Sequence, residues 1–184
     1  MRTMAFAANA LIILCEILGI AKSWKGRSWK VFLFYTQLSN MIALAASAVL
    51  LLSGGSTAAV YLRYLATCML AMTFLVTTCI LVPGGGGFKP LMLSGNGLYH
   101  HTIVPVVSLI SYVFWESHTD VWLLPSLITL AYGMIMLALN GTGKADGPYP
   151  FFRVKNQSVA ATILWMILLF GMIAAVSLVI AKIA

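Results

Sequence analysis

The sequence predicts an all-α integral membrane protein, a bundle of six transmembrane helices, and three observations carry that prediction. Of 184 residues, 61% are hydrophobic and only 8% charged, where soluble domains carry roughly 25% charged residues, so a soluble fold has no means of hiding the apolar surface. Apolar runs of about 20 residues, the length that crosses the hydrocarbon layer, recur at 4–21, 31–53, 58–82, 98–115, 121–140 and 159–181. The connections at 22–30, 54–57, 83–97, 116–120 and 141–158 are short enough to be bundle loops. They leave no room for a soluble domain, and residues 1–184 read as one membrane domain.

Arg2 followed by an apolar run resembles a signal peptide, but Glu16 interrupts the run and no small-residue cleavage site follows before Lys22. It is read as the first span. The second span carries Ser39, Ala43 and Ser47 as a small-residue stripe that lets helices approach closely. Steps of 100° put Thr36 and Asn40 on that same stripe, so a hydroxyl and an amide face one neighbour. The third ends in Thr77 and Thr78, then Pro83 and the run Gly84 to Gly87. That run suits a flexible or re-entrant connection; it lacks the Gly-Lys-Ser/Thr ending of a nucleotide-binding loop.

The fourth span opens with Tyr99-His-His-Thr-Ile-Val-Pro105. Its two histidines point about 100° apart. His101 shares a face with Pro105, Ser108 and Tyr112, while His100 shares one mainly with Val104 and Val107. The inward preference of polar groups selects His101 as the interior residue, and Pro105 leaves the His101 carbonyl without its helical partner, which favours a kink there. The fifth span, containing Tyr132, leads into turn formers and then Tyr149, Phe151 and Phe152, a segment expected to fold back onto the membrane interface. The sixth is nearly all apolar, with Gly171 and Ala175 as a second close-approach stripe. Trp24, Trp29, Tyr61, Tyr64, Trp115 and Trp122 near span ends read as aromatic belts.

Charge and cysteines exclude several functions. The net charge of +7 fits orienting loops and anionic lipid rather than nucleic acid, because no basic patch is interleaved with aromatics. Cys15, Cys68 and Cys79 fall inside spans and form neither a disulfide framework nor a metal-ligand spacing. Nor do the histidines suggest a metal, since His100 and His101 diverge and His118 lies past the far end of the helix. The chemistry calls for no cofactor. Sorting basic residues by side puts Lys22, Lys25, Arg27, Lys30, Lys89, Lys144, Arg153 and Lys155 in the odd-numbered loops, against Arg2, Arg63 and Lys182 opposite. Basic loops stay cytoplasmic, so both termini are expected outside.

Glu16, Thr36, Thr77, Thr78 and His101 all fall within a few residues of that cytoplasmic face, roughly 5–10 Å deep at the helical rise, whereas the far halves of the helices read as apolar. A shallow cavity or a structural hydrogen-bond network would each produce such clustering. A threonine hydroxyl becomes a nucleophile when a base takes its proton, and neutral imidazole is the usual base. Thr36 and His101, on separate spans, are the candidate pair, with His100 as the alternative base. Glu16 or Asn40 would orient the imidazole or serve the oxyanion.

The segments Phe34-Tyr-Thr36-Gln-Leu-Ser-Asn40, His101-Thr-Ile-Val-Pro105, the helix from Trp122 to Asn140 with Tyr132, and Gly147-Pro-Tyr149-Pro-Phe-Phe resemble, in order and spacing, the androgen-induced-gene and androgen-dependent TFPI-regulating protein superfamily. The chain looks most like its short prokaryotic six-pass members, a likeness that covers nearly the whole chain through short motifs. The resemblance implies a bacterial cytoplasmic-membrane hydrolase with Thr36 as nucleophile and His101 as its partner. Its substrates would be membrane lipid or fatty-acyl esters, as animal members cleave fatty acid esters of hydroxy fatty acids. Glu16, Asn40, Thr77, His100, Tyr112, Tyr132 and Tyr149 are the expected supporting residues. An acyltransferase shares this chemistry, and a non-enzymatic lipid-binding or transport bundle is the competing reading.

Overall fold

A computed structural model describes residues 3–146 and 148–184, with the side chains of 25–29 excepted. Arg2 and Gly147, and the side chains of Lys25, Arg27 and Trp29, therefore lie outside the described residues. Six long helices form the bundle: α1 (Thr3–Arg27), α2 (Tyr35–Ser53), α3 (Thr57–Val76), α4 (Val104–Trp115), α5 (Leu123–Gly141) and α6 (Val159–Ile183). With the wide turns that extend α3 and precede α4, six segments are long and apolar enough to cross a membrane. No strand occurs among the described residues.

Helix boundaries follow local chemistry. The second span begins at Tyr35 rather than 31, because Ser28–Leu33 winds as a tight 3-10 helix and Phe34 is extended (φ −91, ψ 126). Gly54 ends α2 in the left-handed conformation, φ 64, which costs a glycine little. Ser56 caps α3, its hydroxyl accepting from the Ala59 N–H. Beyond Val76 the helix widens to π geometry over Thr77–Gly86, where the chain turns at Gly85 (φ 101). The short π-helix Lys89–Leu93 then leads back to a third π segment, Leu98–Ile103, that feeds α4. Two side chains staple this return: His101 Nδ1 meets the Leu91 carbonyl and Thr102 donates to the Met92 carbonyl, each at 2.7 Å.

α3 lies at the centre, packed on α2, α4, α5 and α6, while α1 sits against α2 and α4. The stripe Ser39, Ala43, Ser47 is fully buried, and Ser39 Oγ meets Thr73 Oγ1 at 3.0 Å. Small side chains thus let α2 approach α3 closely. The second expected stripe does otherwise: Gly171 and Ala175 are exposed, and α6 buries Leu169, Ile173, Ser177 and Ile180 instead. That spacing is the helical repeat of one apolar face.

Other expectations are corrected by burial. Tyr64 belongs to no interfacial belt; it is fully buried and donates to the Ser177 carbonyl at 2.7 Å. The aromatic loop folds into the bundle: Tyr149, Phe151 and Phe152 are all buried in the main core with Tyr35, Met72 and Leu169. Arg63 is not a loop charge. It is fully buried, with Nε 2.8 Å from Glu116 Oε2.

That ion pair also overturns the reading of an apolar far half. Arg63 donates to Ser108, Thr67 Oγ1 meets Ser108 Oγ at 2.9 Å, and Glu116 accepts from Asn9 and Ser111. Burying a guanidinium is tolerable only with such partners. The sequence argument weighed residues one loop at a time, and Arg63 and Glu116 stand 53 positions apart.

Candidate functional site

Thr36 occupies the first turn of α2, where backbone N–H groups have no partner within the helix. Its N–H donates to the Tyr149 hydroxyl at 3.3 Å, and its Oγ1 lies 3.2 Å from the same oxygen. The aromatic loop after α5 therefore completes the start of α2. Asn40, one turn on, donates its amide to the Thr36 carbonyl at 2.6 Å. It stabilises the same turn, not a neighbouring helix as its shared stripe suggested.

Thr36 and Tyr149 line a cavity between α2, α3, α5 and α6. Thr73 and Thr77 add hydroxyls, while Met72, Leu81, Met166, Leu169 and Phe170 make the walls apolar. The space is narrow, with about 50 Å³ open to the centres of water-sized molecules. Two further tyrosines fix its α5 side: Tyr132 donates to the Leu33 carbonyl and Tyr35 meets Thr129 Oγ1, both at 2.7 Å. Gly133 keeps the wall open, since a Cβ there would come within 2.7 Å of Met166 Cε.

The two histidines exchange the positions expected of them. His100 is fully buried, with Nδ1 3.1 Å from Gln37 Nε2 and Nε2 3.4 Å from Glu16 Oε2. His101 is only half-buried and turns to the Leu91 carbonyl. The helical-wheel argument failed because Gly19 of α1 leaves room for a ring: a Cβ there would meet His100 Nε2 at 2.2 Å. Bonding to a carbonyl means His101 Nδ1 carries the proton, and its Nε2 is then a lone-pair acceptor. Among the described residues, no hydrogen bond joins Thr36 to either imidazole.

The expected supporting residues divide accordingly. Thr77, Tyr132 and Tyr149 line the cavity with Thr36. Glu16 stands beside His100, not His101. Tyr112 is excluded from the site: its hydroxyl accepts from the Thr119 N–H and its ring packs on Tyr64 and His118, at the Glu116 end of α4. Gln37 was missed, though an amide inside an apolar span, next to the candidate nucleophile, was a readable signal. No group of three or more potential metal ligands occurs among the described residues.

Compared with protein-family models, with curated proteins and with solved structures, the chain matches none.

Proposed function

We propose that this chain is an intramembrane lipid ester hydrolase with Thr36 as nucleophile and His101 as base. The observation that carries the reading is the placement of Thr36 in the lining of a narrow, mostly apolar cavity, its hydroxyl 3.2 Å from a second hydroxyl. An acyl chain fits such walls, and its ester carbonyl would lie against the Thr36–Tyr149 pair. Thr36 Oγ1 attacks the carbonyl carbon while Tyr149 donates to the carbonyl oxygen as it gains charge. The threonine proton passes to His101 Nε2 and then to the departing alcohol. Water next attacks the acyl-threonine, giving a proton to His101, which returns it to Thr36 Oγ1 as that oxygen leaves and the acid is released. An alcohol in place of that water would make the reaction an acyl transfer.

Two facts support these roles. The Leu91 carbonyl leaves His101 Nε2 as the unprotonated nitrogen, the form a general base needs. Catalytic hydrogen bonds also commonly close only when substrate binds. Purified protein, labelled with a fluorophosphonate and assayed on a panel of lipid esters, tests the reading. Labelling and turnover are expected in the wild type and lost in Thr36→Ala and His101→Ala; equal signals in all three overturn it.

The separation of Thr36 from both imidazoles favours a second reading, a lipid-binding bundle without turnover. It predicts that wild type and Thr36→Ala bind an acyl ligand alike and that neither cleaves it.

A further inference from the structure

A second polar site lies one helix away from Thr36, and none of the steps proposed above uses it. Glu16 and His100 are both wholly buried. Neither Glu16 oxygen has a hydrogen-bond partner, nor has His100 Nε2, and the nearest approach between them is 3.4 Å. An ionisable pair at this depth is costly unless it has a role.

The surrounding hydrogen bonds fix where the imidazole proton sits. Ser23 has one hydroxyl hydrogen and gives it to the Gly19 carbonyl at 3.0 Å. Its oxygen must therefore accept from Gln37 Nε2 at 3.0 Å and from Asn96 Nδ2 at 2.8 Å. That requirement orients the Gln37 amide, whose nitrogen then presents its other hydrogen to His100 Nδ1 at 3.1 Å. An Nδ1 that accepts leaves the ring proton on Nε2, and Nε2 points at Glu16. A doubly protonated ring would set two N–H donors face to face at Gln37. Any added proton consequently goes to the Glu16 carboxyl.

We propose that Glu16 and His100 form a proton-binding site, separate from the Thr36 cavity, which exchanges one proton with the end of the bundle where Asn96 and Lys22 lie. In the unloaded state the Glu16 carboxylate accepts the His100 Nε2–H; in the loaded state the carboxyl holds the extra proton beside a neutral ring. Asn96, part-buried, and Ser23 mark the way out. The titratable groups facing the pair, among the described residues, are Cys15 next to Glu16 on α1, His101 next to His100, and Lys22. The Lys22 ammonium is 4.7 Å above the ring of Tyr99. α2 contributes Gln37, and α3 brings Leu62, Ala66 and Leu70 to the Cys15 and Val104 layer.

Infrared spectra of the full chain in phospholipid vesicles, recorded from about pH 4 to about pH 9 to cover the ordinary carboxyl and imidazole ranges, test the site. Glu116, Asp120 and Asp146 give carboxylic-acid C=O bands in either protein, so the readout is the wild-type minus Glu16→Gln difference, in which one C=O component is expected to grow and fade with pH. A difference spectrum with no such component, or one that is constant with pH, overturns the proposal. A second measurement leaves the pair intact: in the H101Q/H118Q chain, His100 is the only histidine, and its ¹⁵N shifts should report the Nε2–H tautomer. The Nδ1–H tautomer overturns it equally. Ester turnover enters neither readout, so loss of the hydrolase reading leaves this test standing.

Discussion

The hydroxyl of Tyr149 stands 3.2 Å from Thr36 Oγ1 and also accepts the Thr36 backbone N–H, tying the loop after α5 to the first turn of α2. If that hydroxyl also steadies the developing oxyanion, Tyr149→Phe lowers kcat on a lipid ester by about 10²–10³, the usual effect of removing one such donor. Stability should fall by about 2 kcal/mol, since both bonds to Thr36 are lost and each is worth about 1 kcal/mol net. Rate assays beside thermal unfolding in the same detergent separate the two. A loss of stability with an unchanged rate would make Tyr149 a structural clasp.

The number and approximate positions of the spans were legible in the sequence because hydropathy and length decide them, but the start of α2 was not, since Val31, Phe32 and Leu33 are as apolar as a span yet wind in a 3-10 helix. Thr36 and Tyr149 were legible as candidates through motif spacing. Which histidine faces inward was not, because the answer depends on the absence of a side chain at Gly19, 81 positions before His100 in the chain. The Arg63–Glu116 pair was hidden for a related reason. An arginine near a span end reads as a loop charge until α4 brings a carboxylate to it.

Filling the cavity offers an independent check on where the acyl chain goes. Gly133 lines the wall and a Cβ there already approaches Met166 Cε to 2.7 Å. Gly133→Ala asks only the flexible end of Met166 to move. Gly133→Phe projects a ring into the space and should raise KM for long-chain esters at least tenfold while sparing short ones. Equal KM values for both chain lengths in this variant would remove the cavity as the acyl site.

Gly19→Ala presses a methyl against the His100 ring, with contacts of 2.2 Å to Nε2 and 2.6 Å to Cδ2. The ring is buried on all sides and has no free end to swing away. Overpacking of this kind costs about 1–3 kcal/mol. Thermal unfolding should show that loss, whereas the same Gly19→Ala change made in a His100→Ala background should cost little. An unchanged single variant would mean that the ring does not rest on Gly19.

The buried ion pair makes the sharpest stability prediction. Arg63→Met leaves Glu116 as an uncompensated charge, at a cost of about 3–5 kcal/mol, whereas Arg63→Met with Glu116→Gln leaves no net charge behind and should cost much less. Acid has the same target. Burial alone raises the proton affinity of Glu116, but the Arg63 charge and hydrogen bonds from Arg63, Ser111 and Asn9 outweigh it and hold the carboxyl below its ordinary 4.5. A folded value below the unfolded one means that the unfolded chain binds more protons at acid pH. The contribution of the pair is therefore complete above about pH 4.5, the unfolded value, and is lost as pH falls from there through the lower folded value. Unfolding temperatures measured across that window should drop in the wild type and flatten in the Arg63→Met/Glu116→Gln protein. A wild-type curve as flat as the double variant's would mean that the pair contributes nothing to holding α3 on α4.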